Sequence, residues 1–547
     1  MNIAFKEGKI MLITIIATLV YLFVIAFLTY TGFKHTKDAQ DYMLAGRKIH
    51  PVIMALSYGA TFISTSAIVG FGGAAGKLGM GLLWLTFLNI FMGIFVAFVF
   101  FGKRTRRMGR NLNAHTFPEL LGLRYNSKFI QIFAGAVIFL FMPIYASAVL
   151  KGGVDFIKSY FDIPFEVSLL FFAVIVALYV SMGGLKGVMY TDAFQASIMF
   201  VGMAFLLIFT YGKLGGIVPA HKELTELFNA GVVREQTEKL ISQGFNGWTS
   251  MPKFDSPIWW SLVSTIIMGV GIGVLAQPQL SVRFMTVKSD RELNRAIVSG
   301  GIFILMMTGV AFTVGSLSNV IFFNDTGKIS LLAAGANDSI IPQYIKNYLP
   351  SWFGTLFLLA LLAAAMSTLS SQFHAMGTAI GRDIYETGAG KSENSVFITK
   401  IGILFVILIS TVLTWLSSKL DVSMAIIATG TSLFFGLCAA TFLPAYIAAL
   451  YVKTLPKAAA VWSMIAGFAS GAFWIFFIHK SESSSLQLCK LIFGKPSIVE
   501  GTSLAKLSMV DPIFIALPLS IIVIVVLKLA LKPDMQKAHI DKCFEGV

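Results

Sequence analysis

Thirteen apolar segments constrain this chain more than anything else in it. They lie at about 10–33, 51–76, 81–102, 128–150, 163–183, 188–212 and 257–279, then 295–318, 351–381, 397–418, 422–451, 457–478 and 510–531. Each is long enough to cross a bilayer, which takes about 20 residues of helix. Lipid satisfies no backbone N–H or C=O, so each crossing must be a helix that pairs its own. With 56% hydrophobic residues, 13% charged and a mean hydropathy of +0.80, several soluble domains are excluded. The expected fold is an all-α polytopic membrane protein of about 13 transmembrane helices. A net charge of +15 would point to nucleic acid in a soluble protein. Here, with the N-terminus outside, the inside loops hold 25 of the 42 Lys and Arg, including the dense run Lys103, Arg104, Arg106, Arg107 and Arg110. The basic excess therefore reads as topology and anionic-lipid contact, with N-terminus outside and C-terminus inside a plasma (cytoplasmic) membrane and no nucleic-acid partner. Lys6 and Lys9 precede about 23 apolar residues with no small-residue cleavage pattern, so the first segment is expected to be a retained span. Cys438, Cys489 and Cys543 fall in three separate places and suggest neither a disulfide framework nor a metal site.

Within the ninth segment, Ala363 to Gln372 reads Ala-Ala-Ala-Met-Ser-Thr-Leu-Ser-Ser-Gln. At helical spacing Ala364, Ser367, Thr368 and Ser371 share a face, with Ser370 at its edge. Such a stripe serves in one of three ways: hydroxyls tied back to the i−4 carbonyl, small residues at a helix contact, or oxygen ligands for a hard cation. The second segment is the least regular, carrying Ser57, Thr61, Ser64, Thr65 and Ser66 among five glycines. This composition weakens a helix, and a break at mid-membrane would free carbonyls for a cation; close packing through glycine is the alternative. The sixth segment places Asp192 about one turn in, either as a paired or solvated functional acid or as an interfacial helix-start acid. The seventh runs through Gly269, Gly271 and Gly273 to Gln277-Pro278, a second expected break. Interrupted segments in matching places of two five-span units, spans 2–6 and 7–11, are the pattern of an inverted-repeat secondary transporter. The chain accordingly divides into a leading helix and inside loop (1–50), a first repeat (51–212), an outside loop (213–256), a second repeat (257–452), and two trailing helices with a short tail (453–547). The long outside loops, about 213–256, 319–350 and 479–509, are expected to form short interfacial helices.

These elements together resemble the sodium:solute symporter family. The resemblance rests on Gly183-Gly184-Leu185-Lys186-Gly187-Val188 leading to Thr191-Asp192 and Gln195, on Gln277-Pro278 with Arg283-Phe284-Met285, and on Met366 to Gln372 ending in Arg382-Asp383-Ile384-Tyr385. It implies a leucine-transporter-type 5+5 inverted-repeat core and a transported sodium ion held by the carbonyls of Ala60, Ile63 and Ala364 and the hydroxyls of Ser367 and Thr368. A second sodium site is implied at Asp192, Ser370 and Ser371. No lysine lies in the apolar part of a core span to pair with Asp192, so two sodium ions per solute are expected. Solute contacts are assigned to Ser64, Thr65, Ser66, Tyr145 and Gln277. Sugars are disfavoured, because Ser66, Ala67 and Leu83 stand where sugar carriers place Gln and Glu. Sialic acids are disfavoured by the lack of an arginine between Lys128 and Lys151. The Arg-Phe-Met and Met-Ser-Thr-Leu-Ser elements resemble proline carriers, whereas Phe-Ile-Ser-Thr-Ser with Gly-Ala-Ala resembles pantothenate or monocarboxylate carriers.

The implied function is sodium-coupled symport of a small organic solute by alternating access, with no obligatory protein partner. The alternative is a solute-responsive membrane sensor working through a partner, for which a tail of about fifteen residues after Lys532 offers no output domain. An enzyme is not expected, since no nucleophile and base converge. His374, one turn beyond Ser370, is either a packed core residue or a pocket or proton-handling group.

Overall fold

The helix Phe165–Lys213 has 49 residues. Straight, it would extend about 74 Å, more than twice the hydrocarbon core it must cross. It is two helices joined by a kink at Gly184, where φ 56 and ψ −175 leave the helical region. Gly183 and Gly187, on either side of the turn, both pack on Thr29 at the end of the first helix. The computed structural model describes residues 2–36, 38–390, 394–419 and 426–547.

The spans are α1 (Asn2–Lys34), α2 in two pieces (Pro51–Phe62 and Ser66–Leu78), α3 (Met80–Asn111), α4 (Lys128–Phe161) and α5 and α6, the parts of Phe165–Lys213 before and after Gly184. They continue as α7 (Pro257–Ala276), α8 (Asp290–Thr326), α9 (Ser351–Ala389), α10 (Ser395–Lys419), α11 (Ile426–Tyr451), α12 (Lys457–Ile478) and α13 (Ile513–Ala530). Eleven helices are long and apolar enough to cross a membrane, or up to twelve with the bent pair as one span. Dividing Phe165–Lys213 at Gly184 gives the thirteen expected. The first residues of the eleventh expected span, 422–425, lie outside the described residues. The most apolar windows of α9 and α11 are 83% and 94% buried, those of α1 and α13 only 17% and 22%. Hence α9 and α11 are central and the first and last helices face lipid.

Both expected breaks are present. The pieces of α2 meet at 56°, with Ile63 extended between them (φ −91, ψ 99). The glycines of α2 do separate work. A Cβ on Gly73 would sit 2.0 Å from the Asn337 carbonyl oxygen, and one on Gly315 of α8 would sit 2.0 Å from that of Gly72. The second piece thus packs backbone to backbone, so packing and break are both realised, at different residues. At the end of α7, Gln277 is extended (φ −74, ψ 118) and Pro278 opens a short turn, Pro278–Ser281. Proline suits that first helical position because its missing N–H has no partner to lose. A single parallel bridge, Ile49 to Val287, ties the entry to α2 to the chain leaving the second break.

The long loops carry short helices, among them Ile217–Leu227, Gly231–Ile241, Ile340–Tyr348 and Lys480–Leu486. The basic run does more than mark topology. Arg106 and Arg107 donate through Nε to Asp290 at 2.7 and 2.8 Å, and Arg104 lies 4.1 Å over the Tyr451 ring.

The turn at Gly184 yields a prediction. Its conformation is open essentially to glycine alone, and a Cβ would meet Tyr42 at 3.0 Å. Gly184→Ala should cost about 1–3 kcal/mol and lower the melting temperature of the purified protein. Gly187→Ala, whose Cβ meets only ordinary contacts at 3.6 Å and beyond, should not.

Candidate functional site

Breaking α2 frees carbonyls in a place lipid and water do not reach, and the hydroxyl stripe of α9 answers them. Ser367 Oγ donates to the Ala60 carbonyl at 2.9 Å and to that of Ala364 at 3.3 Å. Thr368 Oγ1 donates to the Thr61 carbonyl at 3.1 Å and approaches that of Ala60 at 3.4 Å. Ala60, Ala364, Ser367 and Thr368 thus converge between α2 and α9, and Ile63 forms the break beside them. All are buried. The donor set is neutral oxygen throughout, which suits a hard monovalent cation.

One turn along α9 lies an ion pair that the sequence reading did not anticipate. Asp192 of α6 is fully buried and pairs with Arg283, also fully buried, at 3.0 Å. Its Oδ2 accepts from Ser57 Oγ at 2.8 Å and its Oδ1 from Ser370 Oγ at 3.3 Å. Arg283 also donates to Ser57 Oγ at 3.0 Å, to Thr61 Oγ1 at 2.6 Å, and to Ser371 Oγ and the Gln279 carbonyl. Asp192, Ser370 and Ser371 are therefore brought together, but around a guanidinium. The premise that Asp192 lacks a cationic partner is corrected: an arginine supplies it. Arg283 reads in the sequence as part of an inside loop beyond the seventh segment. Past Pro278 the chain instead continues in short turns, Pro278–Ser281 and Val282–Thr286, that stay in the core. Asp192 is a core acid, not an interfacial one.

Beyond the break a closed chamber is lined by Ser64, Tyr145 and Asn89, with Phe62, Phe71 and Phe435 as apolar walls. Its free volume is about 10 Å³, one water at most. No Asp, Glu, Lys or Arg is among its lining residues. Of the five expected solute contacts, Ser64 and Tyr145 are here. Thr65 turns away to the Val149 carbonyl of α4 at 3.0 Å. Ser66 is buried beside the break with no hydrogen-bond partner for its hydroxyl. Gln277 bonds its own Gly273 carbonyl and Gln279, outside the lining. Asn89 was missed, and its amide oxygen is buried without a partner. A lone Asn in the apolar run Leu-Trp-Leu-Thr-Phe-Leu-Asn-Ile was the available signal.

A second small cavity, about 20 Å³, lies between Arg283, Ser371 and His374 on one side and His115 and Thr116 on the other. His374 hydrogen-bonds the Tyr42 carbonyl at 3.2 Å and packs on the Tyr42 ring. Beyond it the end of α9 is tied down. Arg382 bridges Glu119 at 2.8 Å, and Asp383 accepts from Thr116 at 2.6 Å and Gln131 at 3.0 Å. Burial opposes ionisation of Glu119, but its His115 hydrogen bond and the Arg382 guanidinium hold the carboxyl below the usual range. A much larger cavity, about 590 Å³, opens elsewhere, beside Tyr160, Pro342 and Lys346. It includes none of these site residues.

The chain is 28% identical over 497 residues to sodium/proline symporter 2 of Staphylococcus saprophyticus, covering 89% of this chain and 90% of that one. It is 27% identical over 388 residues to the sodium/pantothenate symporter of Haemophilus influenzae, covering 70% and 75%. In fold it is similar to a Na+-coupled sialic acid symporter solved in a substrate-bound outward-open state, with a TM-score of 0.72, 18% identity, and 96% and 98% of the two chains covered. The sodium:solute symporter family matches residues 42–467. The chain belongs to that family and is a multi-pass, sodium-coupled symporter rather than an enzyme or a sensor.

Proposed function

We propose that this symporter imports a small solute bearing a carboxylate on a compact apolar body, of the proline, pantothenate or monocarboxylate class, with sodium bound where α2 breaks against α9. The observation that carries the reading is the convergence of Ala60, Ala364, Ser367 and Thr368 on the freed carbonyls of α2. Aromatic walls suit the apolar body. The N-terminal end of the second piece of α2 faces the break with the positive end of its dipole, which favours a carboxylate without a charged side chain. The Asn89 oxygen is free to accept from a solute N–H. Two relatives, named as proline and pantothenate symporters, support the same class. The chamber has no room for solute as it stands, so loading requires the walls to part, as alternating access demands. The 25 of 42 basic residues toward the short-loop face support reading that face as inside, with the N-terminus out, the C-terminus in and transport toward the cell interior.

Sodium enters as the hydroxyl hydrogens rotate away, not by filling a preformed gap. Ser367 and Thr368, still protonated, turn their O–H groups from the Ala60 and Thr61 carbonyls and offer a lone pair to the ion, joining the carbonyls of Ala60, Ile63 and Ala364. Each charge moved inward at about 100 mV contributes about 2.3 kcal/mol, roughly fiftyfold in accumulation.

Removing these oxygens tests the site. Ser367→Ala and Thr368→Ala should each raise the sodium concentration for half-maximal uptake in proteoliposomes by at least about tenfold, with a smaller effect on solute half-saturation. Unchanged sodium activation in both would remove the assignment.

The Arg283 pairing changes the expected stoichiometry. A second sodium at Asp192, Ser370 and Ser371 would require Arg283 to leave, so one sodium per solute is expected. The reversal potential of solute flux over a series of sodium gradients reads this directly, and a two-sodium slope would restore the second site. Breaking a buried pair on one side costs about 3–5 kcal/mol. Asp192→Asn should therefore lower the melting temperature strongly, and Asp192→Asn with Arg283→Gln should recover part of the loss.

A further inference from the structure

At the long-loop face three ionisable side chains meet in a buried pocket. His479 follows α12, Glu482 lies in the short helix Lys480–Leu486, and Asp511 precedes α13. They are 3%, 1% and 2% exposed. One ligand atom from each lies within 4.8 Å of the other two, and among the described residues theirs is the group of His, Cys, Asp and Glu that closes this tightly. We propose that His479, Glu482 and Asp511 form a binding site for a divalent transition-metal ion of the zinc type, which fastens the α12–α13 pair to the core.

Three features point to an ion rather than to a chance cluster. The first is charge. With both carboxylates ionised, Glu482 and Asp511 against one imidazole leave net negative charge in a buried place even when the imidazole is protonated, a charge that either a bound cation or a proton must offset. The lysines that could neutralise it are engaged or turned to solvent: Lys480 pairs with Glu500 and Lys506 with Asp255, both at 2.6 Å, while Lys490 and Lys495 are exposed. The second is an open ligand position. Glu482 uses one oxygen toward His479 Nδ1, and its other, Oε1, is buried with no hydrogen-bond partner. The third is the setting of the ligands. Asp511 is held by the Ile513 N–H at 2.9 Å, and its own N–H donates to Ser264 Oγ of α7 at 3.3 Å.

The chemistry selects the metal class. One imidazole nitrogen and two carboxylate oxygens, with water completing a tetrahedron, suit zinc, whereas calcium and magnesium prefer all-oxygen shells. Tetrahedral bonds of about 2.0–2.2 Å place ligand atoms about 3.3–3.6 Å apart, so the outermost of the three atoms need to close by about an ångström, while His479 Nδ1 and Glu482, now in hydrogen-bond contact, must part to admit the ion. The site also has a mechanical address. A Cβ on Gly269 of α7 would lie 3.4 Å from Asp511 Oδ2, and one on Gly436 of α11 would lie 3.5 Å from Oδ1. The ion would therefore clamp the start of α13 and the end of α12 against the span that breaks at Gln277.

The test uses full-length, tag-free protein in detergent, stripped with chelator and titrated with ZnCl2, with metal content read by mass spectrometry and stability by thermal unfolding. Wild type should bind one zinc per chain and gain several degrees in melting temperature at about a hundredfold excess over the dissociation constant. Glu482→Gln, Asp511→Asn and His479→Gln should each weaken binding at least tenfold and lose the zinc-dependent gain, whatever their stability without metal. Equal zinc uptake by wild type and the three variants would place the ion on surface groups and overturn the proposal. So would no stoichiometric uptake by wild type, which would leave a trio sharing protons. Calcium binding as tight as zinc would overturn the metal class.

Discussion

The buried pair between Asp192 and Arg283 is the constraint on which the centre of this molecule depends. A carboxylate and a guanidinium taken out of water must satisfy each other and every remaining hydrogen-bonding position. Here that obligation recruits Ser57 and Thr61 from α2, Ser370 and Ser371 from α9, and the Gln279 carbonyl from the turn after α7. Four separate elements are therefore fixed relative to one another by a single network. Both breaks in the core, the one in α2 and the one at Gln277-Pro278, lie within a turn or two of it. Neither span could be irregular at this depth in contact with lipid, because its freed backbone groups would have no partners.

The α9 stripe shows how one set of hydroxyls serves two obligations. Ser370 and Ser371 bond back to the Ser367 carbonyl at 3.0 and 3.1 Å while facing the ion pair. Ser367 and Thr368, one turn toward the other end, donate to α2 instead. Of the three roles open to such a stripe, back-bonding is present, and beside it the stripe donates across to α2, a use the sequence reading did not name. Cation binding, as proposed above, would require those donors to rotate. A short polar side chain does this cheaply, with one torsion, where a carboxylate would have to be desolvated and left charged in the empty carrier.

The sequence made the architecture legible because hydropathy and the bilayer leave few choices. The thirteen spans, the short helices of the long loops and the breaks at residues 63–65 and 277 follow from apolar length, from hydroxyl and glycine density, and from one proline. Side-chain direction was less legible. Thr65 reads as a pocket hydroxyl beside Ser64, yet the bend at Ile63 rotates it onto the Val149 carbonyl. Arg283 reads as a loop cation because a helix was expected to end at Pro278, whereas the proline starts a new turn in the core. Asn89 was visible as the single amide in an apolar run, but nothing in the run itself shows which face meets the chamber. Each miss concerns which way a residue points after a break, where helical periodicity no longer carries across.

With sodium and solute at the sites proposed above, coupling between them would follow from the shortness of the unwound turn. The carbonyls of Ala60 and Thr61 face the α9 hydroxyls, and two residues later Ile63 and Ser64 line the solute chamber. An ion held at the proposed site would draw Ala60 and Ile63 toward α9 and so move the backbone of the chamber wall, and a solute held by Ser64 would move the backbone that supplies those carbonyls. By linkage, whichever binds first must change the affinity for the other by the same factor. A continuous helix would transmit such a displacement along its whole length. The break at residues 63–65 confines it to one turn, so that ion and solute are read by the same few peptide units while Gly72, Gly73 and Gly76 keep the second piece of α2 seated against α8 and the Asn337 backbone.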